Sequence, residues 1–273
     1  MHETKKWEEL TLANNFMFYK IMSSDAELCR ELLERLLKFK IEKVVIQNEH
    51  VIEGDAGGKS IRLDVYAAET GKVYDLEMQT TNPCDIMERS RYYQALMDVD
   101  CLDSGERYGN LPENYVIFIC LTDPFDKKLS CYTFSNRCHE APEMELNDRT
   151  LKVFYNASSY KAEKDDKVRE FLKFLATNQS DGYFSQDLKN RVALARKNAQ
   201  WRHSYMTLER YGKEQHYEGY QQGIAEGERI KALETAKNFL SMGLSAEQVA
   251  KGSGIDLQTV LKIQNELKLV SVK

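Results

Sequence analysis

The chain has no run of eighteen apolar residues, so a membrane-spanning helix of ordinary length is not expected. Its opening, MHETKKWEEL, has no apolar stretch and no small-residue cleavage site, so it reads as cytoplasmic rather than secreted. No Cys-x-x-Cys pair occurs among the six cysteines (Cys29, Cys84, Cys101, Cys120, Cys131 and Cys138). That spacing disfavours zinc and points to reduced, mostly buried thiols. Cys131, Cys138 and His139 are the only cluster. The five histidines (His2, His50, His139, His203 and His216) form no ligand pair. No nucleophile elbow supports Ser-His-Asp catalysis. Gly54, Gly58, Lys59 and Ser60 hint at a phosphate loop, but three residues separate the glycines, and a strand follows where that loop needs a helix. A net positive charge is also lacking: 38 Lys and Arg against 43 Asp and Glu give −5, which argues against a protein that coats nucleic acid, although it leaves room for a local basic face.

What is present suits a globular α/β protein. A length of 273 residues is enough for one large domain or two modest ones. SSDAELCRELLERLLKFK places Leu28, Leu32, Leu33, Leu36 and Leu37 at helical spacing, with Ser24 or Asp25 as its cap. IEKVVIQNEHVIEG reads as a strand and DAGGKS as a turn; SIRLDVYAA and KVYDLEMQT are the next two strands. NPCDIMERSRYYQALMDVDCL follows as a helix, with Asn82 as its expected cap and Pro83 at its first position. YVIFICLT is almost wholly apolar, the pattern of a strand buried on both faces. LSCYTFS and LKVFYNA add strands, and DDKVREFLKFLAT turns Val168, Phe171, Leu172 and Leu175 inward along a helix. The helix before the apolar strand makes part of the sheet parallel.

Two of these strands carry acids in unexpected places. GKVYDLEMQT sets Val73, Asp75, Glu77 and Gln79 on one side and Tyr74, Leu76 and Met78 on the other. SIRLDVYA alternates in the same way, with Arg62, Asp64 and Tyr66 opposite Ile61, Leu63 and Val65. A tight hairpin centred between Thr70 and Gly71 would bring Asp64 opposite Glu77. Bare carboxylates at that separation repel, and a cation would remove the penalty. An all-oxygen set suits Mg2+ or Mn2+ rather than zinc, with a backbone carbonyl such as that of Met78 as a further ligand. The competing reading is a solvated acidic hairpin, and Asp75 is expected to be a solvated neighbour rather than a ligand.

The composition changes toward the end. From Lys189 to Lys213 there are seven Lys or Arg residues against one acid, with Trp201 and Tyr205 interleaved. Lys189, Arg191, Arg196, Lys197 and Arg202 could track a DNA backbone with Trp201 stacking on a base; the alternative is a solvated helix face with a buried Trp. Gly219, Gly223 and Gly227 recur on one helical face. Each costs about 1 kcal/mol relative to Ala in a helix, so the row either frays or lets another helix approach. The tail reads as two short helices around Gly252-Ser253-Gly254: a degenerate helix-turn-helix, or an association element.

Taken together, Asp64 in RLDV, LEMQ on the next strand, LANNFMFYKIM, ERSRYYQALM, YVIFICLTDPF and MTLERYGKEQHYEGYQQGIAEGE resemble a known family. The chain is similar to the PD-(D/E)XK nuclease superfamily, and within it to the Rpn recombination-promoting nucleases, also described as PD-(D/E)XK nuclease family transposases. The resemblance covers nearly all of the chain. It implies a restriction-endonuclease-like αβββαβ core with a mixed sheet and a helical C-terminal region. It also implies Mg2+-dependent (or Mn2+-dependent) hydrolysis of DNA phosphodiesters, with Asp64 and Glu77 on the metal. Gln79 stands where the superfamily usually has Lys; it cannot act as a base, but it can orient water or bind a phosphate oxygen. Arg89 and Tyr93 share a helix face beside the site, where Arg89 would steady a phosphate or the carboxylates, while Tyr92 is expected to pack. Asn15 matches a polar position of the family's N-terminal motif, as site support or as a helix cap.

The expected organisation is a nuclease-like domain over residues 1–178, a basic and glycine-containing linker over 179–228, and C-terminal helices over 229–273. The expected function is a metal-dependent DNA endonuclease that promotes recombination or transposition, without membrane attachment. It would assemble as a homodimer or higher homo-oligomer through the C-terminal helices. The alternatives are a weak or inactive DNA-binding or assembly protein on the same fold, and a small-molecule phosphoesterase.

Overall fold

A computed structural model describes residues 5–47, 51–52 and 61–270. The glycine turn over 54–60 and His50 lie outside the described residues. Two compact units divide between Tyr205 and Met206. The boundary expected near Asn178 falls inside the first unit. No described helix is long and apolar enough to cross a membrane.

The first unit opens with helices α1 (Asn15–Ser24) and α2 (Ala26–Leu37). Strands β1 (Val45–Gln47), β2 (Val51–Ile52), β3 (Ile61–Arg62), β4 (Val65–Glu69) and β5 (Lys72–Gln79) follow. Next come α3 (Ile86–Asp100), β6 (Glu113–Cys120), β7 (Cys131–Phe134) and β8 (Thr150–Asn156). Helices α4 (Asp166–Thr177) and α5 (Tyr183–Ala195) complete the layer, and the long helix α6 (Ala199–Ser241) begins in this unit. The main sheet has the order β1-β4-β5-β6-β8-β7, and β2 and β3 pair separately. The β4–β5 pair is antiparallel, whereas β5–β6 and β6–β8 are parallel, so the sheet is mixed.

Each face of the sheet buries its own apolar cluster. Tyr74, Leu76, Met78, Ile117 and Ile119 meet α1, α2 and α4 through Met17, Phe18, Leu32 and Phe171. On the other face Val73, Val116, Phe118 and Phe154 meet α3 through Ile86 and Met97. This explains the apolar run in β6: its alternate residues serve opposite layers. Trp7 and Tyr205 also join the first cluster, and the Trp7 indole donates to the Arg196 carbonyl at 2.8 Å. Through these contacts α5 and the start of α6 belong to the core.

Local chemistry sets the helix starts. The Asp25 carboxylate accepts from the N–H groups of Glu27 and Leu28 and caps α2, while Ser24 ends α1. Burial raises the Asp25 pKa, but the Leu28 N–H, the Arg191 guanidinium and the Glu27 N–H outweigh it and leave the group below its ordinary value. The stabilisation is therefore present above the unfolded pKa and is lost as pH falls through the folded one. Asp25→Ala should cost about 1–2 kcal/mol at pH 7 and less at pH 3, read from urea unfolding at the two pH values. Helix α3 starts later than expected: Asp85 precedes it, and Asn82 and Pro83 lie in the lead-in.

The second unit contains the remainder of α6 together with α7 (Ala246–Ser253) and α8 (Leu257–Val270). Ser245 and Gln248 form a capping box at the start of α7, and Gly254 ends it in the left-handed region. Ala236, Val249, Val260 and Ile263 form its small core.

Candidate active site

The site begins with a two-residue turn. Glu69 pairs with Lys72, and Gly71 takes a φ of 76° between them, a conformation open to glycine. The register runs back to Val65 opposite Leu76, as a hairpin centred between Thr70 and Gly71 requires. The ladder stops there. Asp64 sits in a bend, and Leu63 and Val65 pack into opposite clusters, so the alternation expected through SIRLDVYA breaks at Asp64.

The break is closed by the acids. The Asp64 N–H donates to Glu77 Oε1 at 2.8 Å, and the Met78 N–H donates to Asp64 Oδ2 at 3.1 Å. Each carboxylate thus accepts from the other's strand, and the two side chains are held together rather than apart. Asp75, two residues before Glu77 on the same face, is completely buried, and no N–H or alcohol donor among the described residues reaches its carboxyl oxygens, whose one hydrogen-bonding neighbour is the Glu77 carboxyl. Burial and then the Asp64 charge push Asp75 well above the ordinary carboxylate range; contact with the Glu77 carboxyl and the Arg89 charge offset only part of this. Burial, Asp64 and Asp75 push Glu77 upward in the same way. The expectation of a solvated Asp75 is overturned, because α3 lies across this face and seals it with Ile86 and Met97.

Helix α3 also delivers Arg89. Its Nη1 donates to Gln79 Oε1 at 3.2 Å, its Nη2 donates to the Tyr93 hydroxyl at 3.0 Å, and Nη2 lies 3.8 Å from Glu77 Oε2. The guanidinium carbon lies 5.4 Å from the Tyr93 ring centroid and 5.9 Å from that of Phe118. The four-residue spacing of Arg89 and Tyr93 therefore serves one cluster. Tyr92, expected to pack, is exposed.

A family model described as PD-(D/E)XK nuclease family transposase matches residues 12–223. The chain belongs to this family. No curated protein and no solved structure matches it. In this PD-(D/E)XK domain the matched span runs from Leu12 into α6, and α7 and α8 lie beyond it.

Other residues singled out from the sequence stand apart from the acids. Asn15 is the exposed first residue of α1, on the opposite sheet face; the cap is Asn14, which accepts from the Met17 N–H. Arg191 is tied to Asp25 and Asp187, Arg196 donates to the Leu10 carbonyl, and Arg202 pairs with Glu8. Trp201 packs against the core, which favours the structural alternative for that ring. Lys189 and Lys197 are exposed. The residue that sequence reasoning misjudged is Asp75. The available signal was the helix after β5, whose Ile86, Tyr93 and Met97 need an apolar surface on the face that carries the acids.

The donor set fits a hard cation. It consists of clustered carboxyl oxygens, and one acid is buried with only another carboxyl as its hydrogen-bonding neighbour. Among the described residues no group of three or more His, Cys, Asp or Glu side chains is placed so that it could hold a metal ion by itself. Asp64 and Glu77 are the two protein carboxylates that could hold one.

Proposed function

We propose that the domain is a metal-dependent endonuclease that hydrolyses DNA phosphodiesters, with Mg2+ or Mn2+ as its ion, in the service of recombination or transposition. The observation that carries this is the reciprocal tie of Asp64 and Glu77 just before β4, where the β4–β5 ladder ends, inside a nuclease-family domain. Asp64 and Glu77 would hold the cation. When bound, such an ion supplies Lewis-acid polarisation of the phosphodiester and a water of lowered pKa. The backbone N–H donors fix both carboxylates in advance, so little reorganisation is needed. Helix α3 keeps the inner end of the site dry, which strengthens each charge interaction there. Arg89 sets a positive charge beside Glu77.

Supercoiled plasmid incubated with Mg2+ or Mn2+ should be nicked by the wild type and left intact in EDTA. No nicking with either ion would overturn the reading. Nicking undiminished by Asp64→Asn would assign the activity to a contaminant.

A DNA-binding or assembly protein that has kept the fold is the second reading, favoured by Gln79 in the usual Lys position. Assembly into homo-oligomers accompanies either reading. Within α6, Tyr217, Tyr220 and Ile224 are exposed, and a Cβ added at Gly219, Gly223 or Gly227 would meet nothing within 4 Å. A helix segment so little buried needs a partner to be stable in water. Light scattering after size exclusion should give at least twice the monomer mass; a monomer at micromolar concentration would remove this part of the proposal.

A further inference from the structure

The orientation of the Gln79 amide follows from the chemistry of its neighbour. An arginine side chain has donors and no acceptor. The 3.2 Å contact of Arg89 Nη1 with the Gln79 side chain therefore requires the carbonyl oxygen of Gln79 at that point. The NH2 end must then face away from Arg89. Among the described residues no acceptor meets Gln79 Nε2, although Gln79 is 6% exposed. Arg89 is itself held: its other terminal nitrogen donates to Tyr93, and its plane lies near the Tyr93 and Phe118 rings. Gln79 shares its strand face with Glu77, two residues earlier. The NH2 group is thus a fixed pair of donors beside the acids, on a side chain that cannot rotate without placing two donors against each other.

We infer that Gln79 donates a hydrogen bond from Nε2 to a non-bridging oxygen of the scissile phosphate, and that Arg89 is a positioning residue that locks the amide in this orientation. This rests on the proposed phosphodiesterase reading and chooses between two uses of Gln79. A donor can bind a phosphate oxygen or neutralise charge that develops there. An acceptor would orient or activate water, but the contact with Arg89 already takes one of the two lone pairs of that oxygen and turns it toward Arg89, so the NH2 group is the end left open.

Gln79→Glu separates the two uses. It keeps the length and the contact with Arg89 but removes both donors. The expected result is a loss of kcat/KM of at least about tenfold with Mg2+. Gln79→Met, which has neither donor nor acceptor, should lose a similar factor and serves if Gln79→Glu misfolds. Activity that is held or raised in Gln79→Glu would overturn the donor assignment. Arg89→Ala should cost about tenfold to a hundredfold alone and at least several-fold less when added to Gln79→Met, where only its charge beside Glu77 remains to be lost. An equal cost in both backgrounds would overturn the positioning role.

A readout independent of cleavage uses protein labelled with 15N-glutamine, without metal. The Gln79 NH2 resonances should shift when a short duplex is added, and in Arg89→Ala they should move toward free-amide values. No shift in either case would overturn the inference even in an active enzyme. Both shifts in a protein that never cleaves would uphold the contact and refute the phosphodiesterase reading.

Discussion

Asp64→Asn and Glu77→Gln should each lower plasmid cleavage by about a thousandfold or more with Mg2+, while leaving the fold intact. The size follows from the chemistry expected of the site. Lewis-acid stabilisation of developing phosphate charge is worth several kcal/mol, and each 1.36 kcal/mol is about tenfold in rate. Both substitutions keep an oxygen that can accept the backbone N–H found in the structure, from Met78 in one case and Asp64 in the other. They remove the charge without removing the hydrogen bond. Far-ultraviolet circular dichroism should therefore match the wild type. The double variant should lose little more than either single one, because half a cation site is not half a catalyst. A single variant that keeps more than about a tenth of the wild-type rate would remove that residue from the proposed ion site.

The second large effect has the opposite sign. Asp75→Asn should make the protein more stable when metal is chelated. A poorly satisfied buried polar group costs about 1–3 kcal/mol, and the polar neighbours of Asp75 include two further carboxyls. The amide cannot ionise and can donate to Glu77. For a unit of this size the gain corresponds to a rise in Tm of several degrees, at roughly 2–4 °C per kcal/mol. The pH dependence has the same origin. Because the folded-state pKa values of Asp75 and Glu77 are raised, the folded protein binds more protons than the unfolded chain above the ordinary carboxylate range. Stability in EDTA should fall as pH rises from about 5 to 8, and the slope should be shallower in Asp75→Asn. Thermal melts of both proteins in EDTA decide the matter; a lower Tm for Asp75→Asn would show that the charge of Asp75 is compensated in the folded state.

Much of this site was legible in the sequence, for local reasons. Alternation along KVYDLEMQT set the faces of β5, and the Thr70-Gly71 turn set the register, because Gly71 adopts a φ closed to most residues. The apolar run in β6 announced burial on both faces. What could not be read depends on packing at a distance. The alternation rule fails at Asp64, where the chain bends to exchange hydrogen bonds with β5. Asp75 looked solvated because nothing in its own strand shows that α3 will cover it. The basic residues from Lys189 fitted a nucleic-acid track or a solvated helix face equally well, and the sequence did not show that Arg191 pairs with Asp25 or that Arg196 donates to the Leu10 carbonyl. Charge in a sequence does not reveal whether the partner is solvent, phosphate or the protein's own backbone.

The most direct measurement is an anomalous difference map from crystals soaked in Mn2+. One peak bound by carboxylate oxygens of both Asp64 and Glu77, and absent from crystals of Glu77→Gln, is the expected result. Ordered manganese at any other set of ligands, or none at these two acids in crystals of a protein that cleaves DNA, would contradict the assignment.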